Sequence, residues 1–388
     1  MTSNRLSSRE RMLAAINHQE PDYVPLWFNW HYRDTQILKW NDPLDRAEKV
    51  LRELGLDDTL LLGAPLSVAP EVTTRVWRET RDDLRYPLIS KEYYTPKGTL
   101  RQVVQETEDW EHPGEVGIIG DLNVPRSLEF PVKDLEDIER LKYLFQPPNQ
   151  QQLEEFRERA KCYKDLAERL GVLIEGGWIC LGDMPFWLMG VQGLIFAQND
   201  QPELLDALLD AVLAWEKVRI ELLIEAGADI ITHRAWYETT DFWGVAGYRE
   251  FLVPRLKREV ELVHSAGLKF SYIITTGVMP RLDDLLDIGI DILWGLDPVQ
   301  DKEVDPREVK KRIGAQVCLL GGLNATVTLG LGSEEEIRQE LREAVRVLAP
   351  GGGCILSPID NIFDHTPKKS LETLIDEWKR VRDYPIRL

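Results

Sequence analysis

The sequence predicts an α/β fold in which the whole chain, residues 1–388, forms a single (β/α)8 TIM barrel. Eight short apolar segments have the length and composition of buried strands, and helical segments separate nearly all of them. One stretch, residues 64–130, carries antiparallel β signals and is interpreted as an insertion between the second and third barrel strands. A doubly wound open sheet is the weaker alternative, because no GxGxxG or P-loop sequence supports a nucleotide site.

The first barrel elements are predicted before the insertion. The two helices there each follow a capping residue, Ser7 or Ser8 in one case and Asp42 in the other. Apolar runs after each helix predict strands. The predicted helices are 9–17 and 43–54, and the predicted strands are 23–29 and 58–62.

The 64–130 region has a different pattern. Short alternating runs such as TTRVWRET and KGTLRQVVQETED are separated by turn residues at Pro87, Pro96-Lys97-Gly98 and Pro113-Gly114. Alternation between turns is typical of antiparallel hairpins and not of βα units. We therefore expect a β-hairpin region that covers one face of the barrel.

The remaining six strands alternate with helices. Strands are predicted at 172–178, 228–232, 268–274, 291–293, 316–320 and 354–357. Helices are predicted at 151–170, 185–198, 202–226, 247–265, 280–288, 306–313, 333–348 and 367–384. Because barrel enzymes place their chemistry at the carboxyl ends of the strands, we expect the site in the loops that follow them.

The amino-acid composition excludes some classes of binding partner. The net charge of −19 and the pI near 4.9 argue against a nucleic-acid or anionic-membrane partner, since phosphate contacts need clustered Lys and Arg. No apolar run approaches the length of a membrane span. The four cysteines are widely spaced without a CxxC pair, which favours a reduced, cytoplasmic setting. A homo-oligomer remains open.

The loop from His233 to Gly244, after the fourth predicted strand, is the richest in polar and aromatic residues. His233, Glu238 and Asp241 are the candidate catalytic residues, because each can hold or donate a proton near neutral pH in an aromatic setting. Asp241 is equally well explained as a helix cap.

The candidate substrate-binding residues follow several strands and include many of the twelve tryptophans. Flat apolar side chains of this kind suit a flat aromatic or tetrapyrrole ligand. The orientation of one of them, Tyr272, depends on the register of its strand, and it points inward if Ile274 does. The set is Trp27, Trp30, His31, Tyr32, Trp178, Asp183, Trp187, Trp236, Tyr237, Trp243, Tyr272, Asn324, Asp360 and Asn361.

Five segments together resemble the uroporphyrinogen decarboxylase superfamily. They are RERMLAAINHQEPDYVPL, YYTPKGTLRQVV, EAGADI…WG…GYREFLVPRLKREVELVHSAGLKF, MPRLDDLLDIGIDIL and GGGCILSPIDNI…TPKKSLETLIDEW. The resemblance covers nearly the whole chain and implies a (β/α)8 barrel with its site at the carboxyl ends of the strands. The superfamily contains both porphyrinogen decarboxylases and corrinoid-linked methyltransferases, so the resemblance alone leaves the reaction open.

Two segments separate these branches. Decarboxylases of the family carry an arginine-bearing MRQAGR-like segment after the first strand, whereas the equivalent WFNWHYRDT contains one arginine, Arg33. A ligand with eight carboxylates needs more cations, which disfavours porphyrinogen decarboxylation. The segment YYTPKGTLRQ is similar to the Thr-Pro-x-Gly-Thr hairpin of the methyltransferase-like branches.

The family's thiol methyltransferases imply a zinc site that this sequence lacks. Their His-x-Cys pair corresponds to Ile274-Thr275-Thr276, and their last cysteine corresponds to Asp360. We expect Cys354 to be a core residue and not a displaced ligand. Zinc-dependent thiol methylation is therefore disfavoured, and no metal ligands are assigned.

The resemblance then implies methyl transfer from a methoxylated aromatic, or a similar small methyl donor, to cob(I)alamin on a separate small corrinoid-binding protein. Such an O-demethylation asks for an acid on the leaving oxygen, for which Asp241, Glu238 and His233 are the candidates. His233 is alternatively a metal ligand with Glu238 and Asp360.

Two other classes of function remain open at this point. One is a decarboxylase or lyase acting on a small carboxylated substrate, for which Arg33 and Arg234 are the obvious cations. The other is a non-catalytic barrel that has lost its zinc, which would be favoured by an apolar filling of the pocket.

Overall fold

A computed structural model describes residues 5–30 and 32–387 of the chain. The helices in these ranges are α1 Ser8–Ile16, α2 Pro43–Lys49, α3 Leu135–Leu141, α4 Gln150–Leu170, α5 Asp183–Asp200, α6 Pro202–Glu225, α7 Thr240–Gly247, α8 Val253–Ser265, α9 Leu282–Ile288, α10 Pro306–Ile313, α11 Glu334–Leu348 and α12 Lys368–Val381. The strands are β1 Thr59–Leu62, β2 Thr73–Glu79, β3 Leu88–Thr95, β4 Gly98–Gln105, β5 Ser127–Glu129, β6 Leu173–Cys180, β7 Ile230–Arg234, β8 Lys269–Ile273, β9 Ile292–Leu296, β10 Cys318–Asn324 and β11 Cys354–Ile359.

Seven strands form one parallel sheet in the order β1-β6-β7-β8-β9-β10-β11. Their near-continuous apolar composition follows from burial on both faces, between the sheet interior and the surrounding helices. The prediction of an α/β fold with a parallel sheet is therefore confirmed.

The first predicted strand is present only as isolated parallel bridges. Leu26 pairs with Leu356 of β11, and Trp27 pairs with Asp57 just before β1. The Leu356 N–H donates to the Pro25 carbonyl at 2.9 Å, and the Trp27 N–H donates to the Leu356 carbonyl at 3.0 Å, so this bridge has both of its hydrogen bonds. A continuous eight-stranded ladder is not observed, although the bridging segment contacts both edges of the sheet.

The antiparallel pattern predicted for 64–130 appears as a separate four-stranded sheet, β2-β3-β4-β5. It lies between β1 and β6 in the sequence and has a small hydrophobic cluster of its own, formed by Ile89, Val104, Trp110 and Val116. Its description as an insertion into a barrel stays a prediction.

One face of the parallel sheet packs against the helices and forms the main hydrophobic core. The other face encloses a second, smaller apolar cluster. The enclosed cluster includes Met12, Trp27, Ile230, Trp294 and Ile355. Strand alternation fixes which side chains enter it, because successive residues of a strand point to opposite faces. This alternation decides the composition of the site described below.

Helix starts agree with the capping residues in the sequence. Ser7 and Glu10 form a reciprocal capping box at α1, and Asp42 accepts N–H bonds at α2. The largest difference is at α7, which begins at Thr240 because the Thr239 side chain accepts the Asp241 N–H. The predicted His233–Gly244 loop is thereby reduced to residues 235–239.

Within the described ranges, the longest and most apolar helices still fall short of what crossing a membrane requires.

A buried ion pair holds α1 against the amino ends of the strands. Arg11 Nη1 donates to Asp57 Oδ1 at 2.6 Å, and both side chains are almost completely buried. Burial raises the pKa of Asp57, and the Arg11 guanidinium opposes that shift. The carboxylate of Asp57 therefore depends on Arg11 for its charge balance.

We predict that R11M lowers the free energy of unfolding by about 3 kcal/mol, because it leaves the Asp57 carboxylate buried without a countercharge. The double variant R11M/D57N should recover part of that loss, as measured by urea unfolding. D22N is the matched control, since Asp22 is the more exposed partner of Arg11. Equal stability of R11M and the double variant would contradict the assignment.

Candidate active site

A cavity of about 430 Å³ lies at the carboxyl ends of the parallel strands. Arg234 ends β7, Thr275 follows β8 and Asp360 follows β11, so separate strand ends contribute to one site. Barrel and open-sheet enzymes place their chemistry at this edge. The lining is Tyr32, Asp121, Trp178, Arg234, Trp236, Tyr237, Thr239, Asp241, Phe242, Thr275, Thr276, Gln300, Asp360 and Asn361.

Two other grooves lie on the helical exterior, and one of them is larger than the cavity. One, of about 410 Å³, runs along α11 beside α10, and the other, of about 620 Å³, lies between α6 and α8. Neither contains the residues that follow the strand ends. We assign the site to the cavity at the strand ends because polar, aromatic and acidic side chains from different loops converge there.

Arg234 organises the wall of the cavity. It is the last residue of β7 and faces the sheet interior, where its side chain is 4% exposed. Its Nη1 donates to Asp183 Oδ2, and its Nη2 donates to both oxygens of Asp121 at 2.8 Å. Two carboxylates therefore neutralise the guanidinium, which disfavours the binding of an anionic ligand to it.

Aromatic rings surround this ion cluster. The Arg234 guanidinium lies 4.3 Å from the centroid of Trp236 and 4.7 Å from that of Trp187. Trp187 Nε1 also donates to Asp121 Oδ1 at 3.0 Å. Tyr237 stacks on Phe186 with centroids 4.0 Å apart. These contacts fix the 235–239 loop, because its two rings are held by α5 on one side and β7 on the other.

Trp178 and Trp236 form a corner at the cavity. Their rings are 5.1 Å apart and nearly perpendicular, at 81°. Trp178 also meets Trp294 edge to face, and Trp294 in turn meets Trp27. A column of tryptophans thus runs from the sheet interior to the cavity. It gives the corner a rigid support.

Two carboxylates of the lining stay without a fixed cation. Asp360 is half-buried, and no donor of the described residues reaches its oxygens. Burial raises the pKa of Asp360 to about 6, although Arg234 acts in the opposite direction. Asp241 is exposed at the start of α7. The cavity therefore presents one carboxyl group that titrates close to neutrality and one that faces solvent.

Asp183 supports the cavity from behind. It is fully buried, and its Oδ1 accepts the Tyr237 N–H at 2.7 Å while its Oδ2 accepts from Arg234. Burial raises the pKa of Asp183 to about 7, and Arg234 opposes the shift. Asp183 is therefore a polar anchor, because it holds both Arg234 and the 235–239 loop.

His233 and Glu238, two of the predicted catalytic residues, do not line the cavity. Both are completely buried on the helix side of β7. His233 Nε2 lies 2.9 Å from Glu238 Oε1, and His233 Nδ1 lies 2.7 Å from Glu259 Oε2. Burial alone would lower the pKa of His233, but the two carboxylates outweigh it and raise that pKa well above its usual value. The imidazole is thus held as a buried cation.

Glu238 anchors the 235–239 loop. Its Oε1 accepts the Gly182 N–H at 2.7 Å, and its Oε2 accepts the Tyr272 hydroxyl. Gly182 allows this approach, because a Cβ there would lie 2.7 Å from Glu238 Cγ. The metal site proposed from His233, Glu238 and Asp360 is not formed, since Asp360 faces the cavity and the other two face the helices.

The predicted inward orientation of Tyr272 is wrong. Its hydroxyl meets that of Tyr248 at 3.1 Å on the helix side, whereas Ser271 faces the sheet interior. Ile274 belongs to the same helix-side core as Tyr272. Tyr272 and Ile274 thus share one face of the strand, as expected from alternation, but that face is the helix side.

Four other predicted ligand contacts also lie away from the cavity. Trp30 packs edge to face on Trp40 in the core, and Trp243 is 2% exposed. Trp27 lies deep in the sheet interior. Asn324 donates to Asp297 Oδ2 at 2.6 Å and caps the helical turn after β10. Each has a structural role instead.

Seven predicted residues do line the cavity: Tyr32, Trp178, Trp236, Tyr237, Asp241, Asp360 and Asn361. Trp187 and Asp183 contact the lining from behind. His31 lies outside the described residues, so its prediction has no structural outcome.

Asp121 is the main residue that sequence reasoning missed. It lies between β4 and β5, in the region interpreted as an insertion, where no strand end or motif marks it. Thr275 and Thr276 were considered only as replacements of metal ligands, and Gln300 follows β9 in an unremarkable turn. Their position after parallel strands was the available signal.

The residues at the family's zinc positions do not fit zinc. Thr276 and Asp360 line the cavity, but Ile274 is a hydrocarbon side chain turned to the helices. A neutral hydroxyl and one carboxylate lack the thiolate and imidazole donors of such a site. The described residues contain no group of three or more His, Cys, Asp or Glu arranged to hold a metal ion. Cys354 is fully buried within β11.

Comparisons with known proteins place these features in a family context. The sequence model of the family Uroporphyrinogen decarboxylase (URO-D) matches residues 117–381. The methylcobamide:CoM methyltransferase MtaA of Methanosarcina barkeri is 31% identical over 179 residues, which are 45% of this chain and 48% of that protein. A uroporphyrinogen decarboxylase of Trichodesmium erythraeum (strain IMS101) is 25% identical over 186 residues, 47% of this chain and 49% of that protein. The chain thus spans about half the length of the curated relatives it matches.

A solved structure also resembles the chain over nearly its whole length. It is described as a methyltransferase from Methanosarcina mazei, and it aligns with a TM-score of 0.60 at 20% identity, covering 97% of this chain and 99% of that one. The similarity supports the fold, and it extends over both the parallel and the antiparallel sheet.

We predict that E238Q lowers the free energy of unfolding by about 3 kcal/mol, because the buried His233 cation loses one of its two countercharges. D241N is the matched control, since Asp241 is exposed and should change the stability little. The measurement is urea unfolding at pH 6. Unchanged stability of E238Q would contradict the structural role assigned to Glu238.

The pH dependence of this effect has a defined sign. A histidine whose folded-state pKa is raised contributes stability that is complete below its unfolded pKa, about 6.5, and is lost as the pH rises through the folded value. The difference in stability between the wild type and E238Q should therefore shrink at alkaline pH.

Proposed function

Because the chain belongs to the uroporphyrinogen decarboxylase family, we propose that it is a corrinoid-dependent methyltransferase of that family. It would move a methyl group from a small donor to cob(I)alamin carried by a separate corrinoid protein. The observation that carries the proposal is the cavity at the strand ends, which combines aromatic walls with carboxylates and offers no free cation among the described residues. The MtaA relative supports methyl transfer as the reaction class.

A methoxylated aromatic is the donor we propose first. The corner formed by Trp178 and Trp236 offers flat surfaces for its ring. The net charge of the lining restricts the donor further, because Asp121, Asp241 and Asp360 outnumber Arg234, the one Lys or Arg among the described lining residues. A neutral methoxyarene is therefore preferred over one that carries a carboxylate.

Asp360 replaces His233 and Glu238 as the proposed acid for the leaving oxygen. It lies in the cavity, and its pKa of about 6 leaves part of the group protonated near neutral pH. Asp241 remains the second candidate, at the solvent side of the cavity. When bound, the reduced corrinoid supplies the nucleophile that accepts the methyl group.

The rim of the strand ends offers a docking surface for the corrinoid protein. Exposed apolar side chains lie after two strands: Leu66 and Val68 follow β1, and Val327 and Leu331 follow β10.

The bridges formed by Leu26 and Trp27 support a further proposal. The parallel sheet and the segment that contains these two residues would form a closed eight-stranded barrel beneath the rim.

The two alternative classes receive less support. A carboxy-lyase would need a cation for its substrate, but Arg234 is bound by Asp183 and Asp121. A non-catalytic barrel would be favoured by an apolar filling of the cavity, whereas its lining is polar and acidic. Neither alternative accounts for Asp360, whose carboxylate has no donor partner among the residues that the structure describes.

The proposal is tested by an anaerobic assay with reduced cobalamin, free or on a cognate corrinoid protein. We expect methylcobalamin to form with a neutral methoxyarene and more slowly with the matching methoxybenzoate. D360N should lower kcat roughly 100-fold, because proton donation contributes about that much. The rate should fall as the pH rises above about 6, where Asp360 loses its proton.

D364N serves as the matched control for this experiment. Asp364 is an exposed carboxylate four residues beyond Asp360 and outside the cavity lining. Its replacement should leave the rate unchanged. Failure of every donor with both forms of cobalamin would overturn the methyltransferase proposal.

A further inference from the structure

The side chains that line the cavity carry a net negative charge. Three carboxylates line it, and Asp183 adds a fourth directly behind Arg234. Arg234 is the single Lys or Arg lining the cavity within residues 5–30 and 32–387, so four carboxylates and one guanidinium leave three net negative charges when all are ionised. Carboxylates enclosed by low-dielectric walls concentrate this potential where a ligand binds.

The walls suit a methylated cation as well as a ring. Trp178 and Trp236 meet at 81°, and Tyr32 and Phe242 add two further rings to the lining. Rings at right angles surround a tetrahedral ammonium group better than they surround a flat molecule, and their faces attract positive charge. Arg234 already demonstrates this attraction at Trp236, where it lies 4.3 Å from the ring centroid.

One carboxylate is available to such a ligand. Arg234 engages Asp121 and Asp183, whereas no described donor reaches Asp360. A half-buried carboxylate that no described donor reaches is costly to ionise, and a bound cation would remove part of that cost. Asp360 therefore offers the position for the charge of the ligand.

We propose that the cavity binds small quaternary ammonium compounds and demethylates them, a second activity that rests on the proposed methyltransferase function. The donor would present its methylated nitrogen to the Trp178–Trp236 corner and to Asp360. The class of ligand is thus a positively charged N-methyl compound without a compensating negative charge.

The reaction balances without an acid. The C–N bond of the donor breaks, and its electron pair stays on nitrogen, which leaves as a neutral tertiary amine. The methyl group forms its new bond with electrons supplied by the reduced corrinoid of the partner protein. No proton is transferred, so Asp360 acts here through its negative charge and not as an acid.

Binding is measured first, without any corrinoid. Isothermal titration calorimetry at pH 7.5 compares choline with 3,3-dimethylbutan-1-ol, its neutral isostere of nearly the same shape. We expect choline to bind at least tenfold more tightly, and D360N to remove roughly tenfold or more of its affinity. D364N is the matched control and should bind choline as the wild type does.

The pH dependence supplies an independent readout. Arg234, Asp121, Asp183 and Asp241 are the other charged groups around the ligand position. Asp360, with a pKa of about 6, loses its charge as the pH falls from 7.5 to 5, and Asp183, with a pKa of about 7, does so as well. Choline affinity should fall over this range, and D360N should remove the lower step.

Methyl transfer is then followed with choline and reduced cobalamin. D360N should raise KM with little change in kcat, which separates a charge role from the acid role expected with methoxyarenes. Equal binding of choline and its isostere, or full choline affinity in D360N, would overturn the inference. Methyl transfer from methoxyarenes without choline binding would overturn this inference alone. Choline binding without methyl transfer from any donor would overturn the proposed function and, with it, the demethylation of the bound cation.

Discussion

The guanidinium of Arg234 is the interaction on which the cavity depends. It joins β7 to the start of α5 through Asp183 and to the β4–β5 connection through Asp121. Trp187 and Trp236 lie against it, so the ion cluster and the aromatic wall are one unit. A single buried cation thereby determines the shape of the wall, and its two carboxylates determine that the remaining charge of the cavity is negative.

The alternation of β7 explains which predicted residues reach the cavity. The sequence predicts a strand that ends at Thr232 and assigns His233 and Arg234 to the following loop. In the structure the strand continues through Arg234, so the two side chains point to opposite faces of the sheet. Two extra residues of strand thus make Arg234 part of the site and His233 part of the core.

Most of the fold could be predicted from the sequence, because the spacing of hydrophobic residues and the capping residues are signals carried by residues close together in the chain. Strands β6 to β11 and the helices between them follow from these patterns, with boundaries shifted by a few residues. Asp121 was not accessible, because it reaches the site through the tertiary position of the antiparallel region. The burial of Glu238 away from the cavity was not accessible for the same reason, since Tyr272 and Gly182 are distant in sequence and contact it only in the folded chain.

The position of Asp360 links the two proposed donor classes through one carboxyl group. Protonated, it can assist departure of an oxygen leaving group; ionised, it can balance a cationic nitrogen that needs no proton. Burial raises its pKa to about 6, so both forms are populated close to neutral pH. The two reactions should therefore respond to pH in opposite directions. On these proposals, the chemistry of the leaving atom, and not a second site, would distinguish the two reactions.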